Sequence, residues 1–103
     1  MNDAYELLKG YVPVKSALKT RPEGDMLIAA NNNAEIYYLN DMAGEIWGML
    51  DGTASIDGIS RQILSEYDAQ PDEVHADIVK FIRDMQWKRL IRLKKGDSLH
   101  EGI

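Results

Sequence analysis

The 103-residue chain contains no cysteine, only three prolines and no long apolar run. The absence of cysteine excludes disulfides, thiol nucleophiles and thiolate metal ligands from this sequence. It fits a reducing compartment, so we expect a cytoplasmic protein. No stretch of eighteen apolar residues is present, so we expect no membrane-spanning helix and no membrane partner. The first ten residues include acidic side chains and lack an apolar core, so we expect no secretory signal.

Groups that perform catalysis or bind metals are equally scarce. The only histidines are His75 and His100, and neither lies in a metal-binding spacing such as HExxH. No serine occupies a nucleophile-elbow motif, and no glycine-rich phosphate loop is present. The acidic residues Asp72, Glu73 and Asp77 are explained more simply as the start of a helix than as a calcium site. We therefore predict no catalytic residue, no metal site and no cofactor, and a protein that is not an enzyme.

The charge balance narrows the choice of partner. With 17 acidic and 12 basic residues, the chain has a net charge of −5. A field of that sign repels phosphate backbones, so we expect no nucleic-acid partner. The basic residues are nevertheless clustered near the C-terminus, at Lys88, Arg89, Arg92, Lys94 and Lys95. The cluster is either a solvated helix end or an anion-binding patch, and the second interpretation leads to the alternative function, a winged-helix DNA-binding regulator.

The N-terminal part of the chain has a strand-like pattern. Residues 1–11 show no clear period, and we expect a loose arm or a short helix there. The segments that follow alternate between strands at 14–20, 26–30 and 34–39 and turns at 21–25 and 31–33. Two close turns predict an antiparallel meander of three short strands. If strands that are neighbours in sequence pair, the third strand lies at an edge of the sheet.

Helical periodicity begins after this meander. Asn40 is a good N-cap, and the apolar residues that follow it recur with helical spacing as far as Leu50. Gly52 suits a left-handed helix end, Ser55 a second N-cap, and Pro71 the first turn of a third helix. An extended segment at 90–93 precedes a polar tail. The prediction is an α+β fold with a three-stranded antiparallel sheet followed by three helices, of which the second and third resemble a helix-turn-helix.

The third strand carries the first functional signal. Tyr37 and Tyr38 are adjacent, so their side chains point to opposite faces of the sheet. An edge strand with large side chains on both faces is a template for a guest strand. Alternatively the N-terminal arm or a dimer partner covers this edge, so the protein is a monomer or a homodimer through the edge strand. On the third helix, Val79, Arg83 and Gln86 are expected to line a groove beside it.

A set of residues running through the helices resembles the signature of a known family. Its members are Leu39-Asn40, Ala43, Ile46-Trp47, Leu50-Asp51-Gly52, Ser55, Ile56, Ile59, Leu64, Tyr67, Pro71, Val74, Asp77 and Phe81-Ile82. In order and spacing this ensemble is similar to the core of the pyrroloquinoline quinone biosynthesis protein D family. The resemblance covers about residues 14–93. Gln70 departs from the family pattern, where an Asp cap before the proline is more usual.

The resemblance implies a winged helix-turn-helix domain without catalytic activity. Members bind the leader of a ribosomally synthesised precursor peptide, which adds as a strand to the third β-strand and packs against the third helix. They then present the precursor to a modifying enzyme, often a radical S-adenosylmethionine protein. We accordingly predict an N-terminal arm at 1–11, a peptide-recognition domain at 12–93 and a polar tail at 94–103.

The resemblance also implies a set of peptide-binding residues on two elements. The predicted site comprises Glu35, Ile36, Tyr37, Tyr38 and Leu39 on the third strand and His75, Ile78, Val79, Ile82, Arg83 and Gln86 on the third helix. Ile36 and Tyr38 are expected on one face of the strand, with Tyr37 and Leu39 on the other. Leu39 is expected in the core, beneath the first helix.

Overall fold

The structure, a computed structural model, describes residues 3–16 and 19–96. Its elements are α1 (Asp3–Leu8), β1 (Tyr11–Lys15), β2 (Lys19–Glu23), β3 (Met26–Ala30), β4 (Ile36–Leu39), α2 (Asp41–Gly48), α3 (Ile56–Glu66), α4 (Pro71–Trp87) and β5 (Ile91–Lys95). The predicted α+β class and the three-stranded sheet followed by three helices are confirmed. No helix in these two ranges is long and apolar enough to cross a membrane.

The three-stranded sheet is the antiparallel meander β2-β3-β4, with β3 in the centre. In its register Ala29 lies opposite Tyr37, and Leu27 lies opposite Leu39. The first turn is shorter than the sequence predicts, because residues 21–23 belong to β2. Gly24 makes that turn with a φ of 61°, a conformation that glycine adopts without a steric penalty.

A second sheet, absent from the sequence prediction, pairs β1 with β5. The two strands are antiparallel, with Tyr11 opposite Lys95 and Lys15 opposite Ile91. The predicted tail therefore begins two residues too early, since Lys94 still belongs to β5, and its part from 97 to 103 lies outside the described residues. Three basic residues of the C-terminal cluster stand on a strand, so a helix end does not explain them.

Local sequence accounts for the starts of the three main helices. The Asn40 side chain accepts a hydrogen bond from the Ala43 amide, and that of Ser55 accepts one from the Gly58 amide, each at 3.0 Å. Pro71 is the first residue of α4, where its missing N–H costs nothing. The end of α2 differs from the prediction. The helix stops at Gly48, and Gly52, with a φ of 83°, lies in the following loop.

The core lies where α2, α3 and α4 pack together against β3, β4 and the N-terminal helix. Its buried hydrophobic members include Tyr5, Ala29, Leu39, Ile46, Trp47, Leu50, Ile56, Ile59, Val74, Ile78, Val79, Phe81, Ile82, Met85, Leu90 and Ile91. Two large aromatic residues lie outside this core. Tyr67, which follows the end of α3, is half-exposed although apolar residues precede it on that helix, and Trp87 is 84% exposed.

The segment predicted as a loose arm or short helix forms α1 and packs into the core. The Tyr5 hydroxyl donates a hydrogen bond to Asp57 of α3 at 2.7 Å. On α4, the His75 ring stacks on the Tyr5 ring with centroids 3.8 Å apart. Burial, followed by the hydrogen bond to Asp57, raises the pKa of Tyr5 to about 12. Because these contacts join α1 to two helices, the helix is an integral part of the fold.

Candidate functional site

The edge of β4 is the most distinctive surface of the structure. Within the described residues β4 pairs with β3 alone, so its other edge has no strand beside it. Ile36 and Tyr38 are 62% and 57% exposed, whereas Tyr37 is half-buried and Leu39 is buried. This is the alternation that the sequence predicts. A short strand with an open row of amides and carbonyls is a template for another strand.

Asn31 fixes the turn that leads into β4. Its side chain is completely buried. Nδ2 donates to a Glu35 carboxylate oxygen at 2.7 Å and to the main-chain carbonyl of Lys88 at 2.8 Å. Oδ1 accepts from the amides of Asn33 and Glu35. Ala34, the residue after the three asparagines, has a left-handed conformation with a φ of 65°. The predicted site residue Glu35 therefore precedes β4, and its side chain is held by Asn31.

Lys88, the residue that follows the end of α4, faces Tyr37 of β4. The Lys88 ammonium lies 5.2 Å from the centroid of the Tyr37 ring and 2.9 Å from a carboxylate oxygen of Asp84. At about 100° per helical residue, Asp77, Phe81 and Asp84 lie within about 40° of Lys88 on the same side of the helix. Sequence reasoning missed Lys88 as a neighbour of Tyr37. The Asp84–Lys88 spacing marks a helix pair in the sequence, but not the direction in which that pair points.

Three of the predicted helix residues lie inside the protein. Ile78 and Ile82 are each 1% exposed and Val79 is 9% exposed. They form part of the core cluster. Their buried positions support the fold of α4, and direct contact with a peptide stays a prediction for them.

The other three predicted helix residues lie on a different side of α4 from β4. His75 is covered by the Tyr5 ring of α1. Arg83 and Gln86 are exposed. Their positions on the helix are about 140° and 160° from Lys88. The structure thus does not bring His75, Arg83 or Gln86 next to β4, and their contact with a peptide stays a prediction.

The chemistry available at this site is that of main-chain pairing and packing. Residues 3–16 and 19–96 contain no group of three or more His, Cys, Asp or Glu side chains placed to hold a metal ion. The site presents the Tyr37 ring and the exposed side chains of Ile36 and Tyr38. Lys88, which is paired with Asp84, lies next to Tyr37. Such a surface suits a peptide in extended conformation, which β4 would pair through its backbone and α4 would contact through side chains.

This chain is similar in sequence to known proteins. A PqqA binding protein of Xanthomonas oryzae pv. oryzae (strain PXO99A) is 33% identical over 55 residues, which are 53% of this chain and 60% of that protein. A PqqA binding protein of Xanthomonas axonopodis pv. citri (strain 306) matches to the same extent. The chain thus spans about 60% of the length of the curated relatives it matches.

A solved structure shares the fold. It is TbiB1 in complex with the TbiA(beta) leader peptide, with a TM-score of 0.67, 20% sequence identity, and coverage of 77% of this chain and 93% of that one. The family model for coenzyme PQQ synthesis protein D (PqqD) matches residues 25–91, which include β4 and all of α2, α3 and α4. Since that match covers well over half of the chain, the protein belongs to the PqqD family.

Proposed function

We propose that this protein binds the leader segment of a ribosomally synthesised precursor peptide and presents it to a modifying enzyme. The leader adds as a strand to the open edge of β4 and packs against the side of α4 that carries Asp84 and Lys88. The protein contributes binding and no catalysis. The enzyme it serves is of the radical S-adenosylmethionine class, and the role is a cytoplasmic one.

The observation that carries the proposal is the open edge of β4 in a fixed position. The Asn31 hydrogen bonds hold the turn before β4 against the end of α4, so the edge needs no large rearrangement before a strand adds. Preorganisation of this kind lowers the cost of ordering on binding. Support also comes from the curated relatives, which are named for binding PqqA, and from the solved structure with the same fold, which holds a leader peptide.

Isothermal titration with the leader encoded beside this gene tests the proposal. Tyr37→Pro and Tyr38→Pro form a matched pair, because alternate amides of a strand point to opposite edges and proline removes the donor. We expect the variant that loses the outward amide to keep its fold. Its affinity for the leader should fall at least about tenfold, because one main-chain hydrogen bond is lost and a carbonyl of the leader is left without a donor. Tyr38→Thr, which keeps the amide and a β-branched side chain, controls for the lost phenol.

Circular dichroism of each variant shows whether the fold is intact. Wild-type protein that does not bind the leader, or two folded proline variants that bind as well as wild type, would rule out strand addition at β4. Sedimentation of the free protein addresses self-pairing of the same edge. A homodimer through β4 would dissociate as the leader is added, because both occupants compete for one row of amides.

A further inference from the structure

A second candidate surface is an apolar cleft where α2, the end of α3 and the start of α4 meet. Its volume is about 170 Å³. The residues that line it are Met42, Glu45, Ile46, Met49, Ile63, Tyr67, Ala69, Glu73, Val74, Asp77 and Ile78. A dry apolar cavity of about 150 Å³ accepts a benzene molecule. The cleft therefore has room for one large apolar side chain.

The mouth of the cleft is acidic. Glu45, Glu73 and Asp77 are all exposed, and no lysine, arginine or histidine lines the cleft. In the described part of the chain none of these three carboxylates takes part in an ion pair. Glu45 accepts a hydrogen bond from the Tyr67 hydroxyl, and this bond raises the pKa of Tyr67. Three like charges around an apolar floor favour a cation at the mouth and oppose an anion there.

The cleft continues the surface proposed for the leader. Met42, which is 58% exposed, stands three residues beyond the end of β4 and borders the cleft. Asp77 lies on the same side of α4 as Lys88 and about 16 Å nearer the start of that helix. Leu39 and Met42 are three residues apart in sequence, so their Cα atoms are at most about 11 Å apart.

We propose that the cleft takes a large apolar side chain of the bound leader and that Glu73 and Asp77 select a lysine or arginine next to it in the leader sequence. This inference rests on the proposed function and adds to it the chemical class of the leader. Leaders that carry an acidic residue at that position are rejected, since the rim repels them.

Two small molecules of similar shape and opposite charge test the chemistry of the cleft without a leader. Phenethylamine carries an aromatic ring and a cation, and 3-phenylpropionate carries the ring and an anion. In a titration followed by methyl NMR at low salt, phenethylamine shifts the Ile46, Ile63 and Val74 signals at a concentration at least about fivefold lower than 3-phenylpropionate does. Ion pairs of the cation with two exposed carboxylates give a preference of roughly this size, and added salt reduces that preference.

The variant Glu73→Gln/Asp77→Asn reduces the preference for phenethylamine to within about twofold. Glu66→Gln/Asp72→Asn is the matched control, because it removes one Glu and one Asp charge outside the cleft. That control keeps the preference. Equal affinity of the two probes for wild-type protein, shifts that fall away from the cleft, or loss of the preference in the control would overturn the inference.

Titration with the leader itself is a second test of the inference. Glu73→Gln/Asp77→Asn binds the leader roughly fivefold more weakly than wild type at low salt, while the control changes affinity less than twofold. A leader that binds wild type and this variant equally well refutes the inference and leaves strand addition at β4 standing. If the leader fails to bind wild type, the proposed function fails, and the preference between the two probes alone decides the chemistry of the cleft.

Discussion

The side-chain amide of Asn31 donates a hydrogen bond to the main-chain carbonyl of Lys88 at 2.8 Å, across 57 positions of sequence. This bond joins the turn before β4 to the C-terminal end of α4. The Lys88 side chain adds a second link, since its ammonium lies over the Tyr37 ring. The two elements that form the candidate site are thus held at a fixed separation by one buried amide and one cation–π contact.

Replacement of the Asn31 side chain should destabilise the turn that positions β4. Asn31→Ala leaves the Lys88 carbonyl and the Glu35 amide without their partner, so we expect the free energy of unfolding to fall by about 1–3 kcal/mol. Affinity for the leader should fall as well, because β4 loses its fixed position. Urea denaturation and leader titration measure the two effects. Asn32→Ala, at an exposed neighbouring position, is the control and should change neither.

The buried residues of α4 should act through stability. Ile82 is 1% exposed within the core, so Ile82→Ala should lower the free energy of unfolding by about 2–5 kcal/mol. The exposed neighbour Arg83→Ala should stay within about 0.5 kcal/mol of wild type. Denaturant midpoints of both variants check this. If Ile82→Ala is as stable as wild type but binds the leader less well, the residue contacts the peptide and the core assignment is wrong.

The lowered pKa of Asp51 predicts that the folded protein loses stability in acid. The Asp51 carboxylate accepts hydrogen bonds from the Ala54 and Thr53 amides and the Thr53 hydroxyl, which together lower its pKa to about 2 from 3.8. Because the folded state favours the charged form, the stabilisation is present above about pH 4 and is lost as the pH falls toward 2. The difference in unfolding free energy between wild type and Asp51→Asn should shrink over that interval. A difference independent of pH would contradict the account.

The raised pKa of Tyr5 predicts that the folded protein also loses stability in alkali. That pKa is raised to about 12, chiefly by burial, so the folded state favours the protonated phenol. The corresponding stabilisation is complete below pH 10 and is lost as the pH rises toward 12. Relative to wild type, Tyr5→Phe should lack this part of the alkaline loss. Unfolding curves collected at several pH values test it, and identical pH dependence in both proteins would show that Tyr5 is not buried as described.

Much of this architecture could be predicted because local sequence determines it. Asn40, Ser55 and Pro71 specify helix starts through interactions within one turn. The alternation along β4 specifies which side chains face the core. Pairing between β1 and β5 depends on residues about eighty positions apart, and neither strand alone carries a signal for its partner. The periodicity of α1 was also too short to establish a helix, whose stability comes from contacts of Tyr5 with α3 and α4.

The rotation of α4 about its own axis could not be predicted from the sequence, and this limited the prediction of the candidate site. Apolar periodicity marks the buried stripe of that helix, but a stripe that wide packs against several elements at once. His75 packs against Tyr5 of α1, whereas Lys88 faces Tyr37 of β4. The Asn31 hydrogen bond and the Tyr37–Lys88 contact place the end of α4 near β4, and both join residues far apart in sequence. Sequence alone therefore predicts which β4 side chains face outward better than it predicts which side of α4 lies toward them.

Amide hydrogen exchange along β4, measured by NMR with and without the leader, tests the central claim most directly. Strand addition predicts that the outward amides, which are every second amide from Ile36 to Leu39, exchange at least about tenfold more slowly when the leader is bound, because they acquire a hydrogen-bond partner. The amides that already pair with β3 change much less. A leader that binds with no change in exchange along β4, and protects another surface instead, would contradict the account.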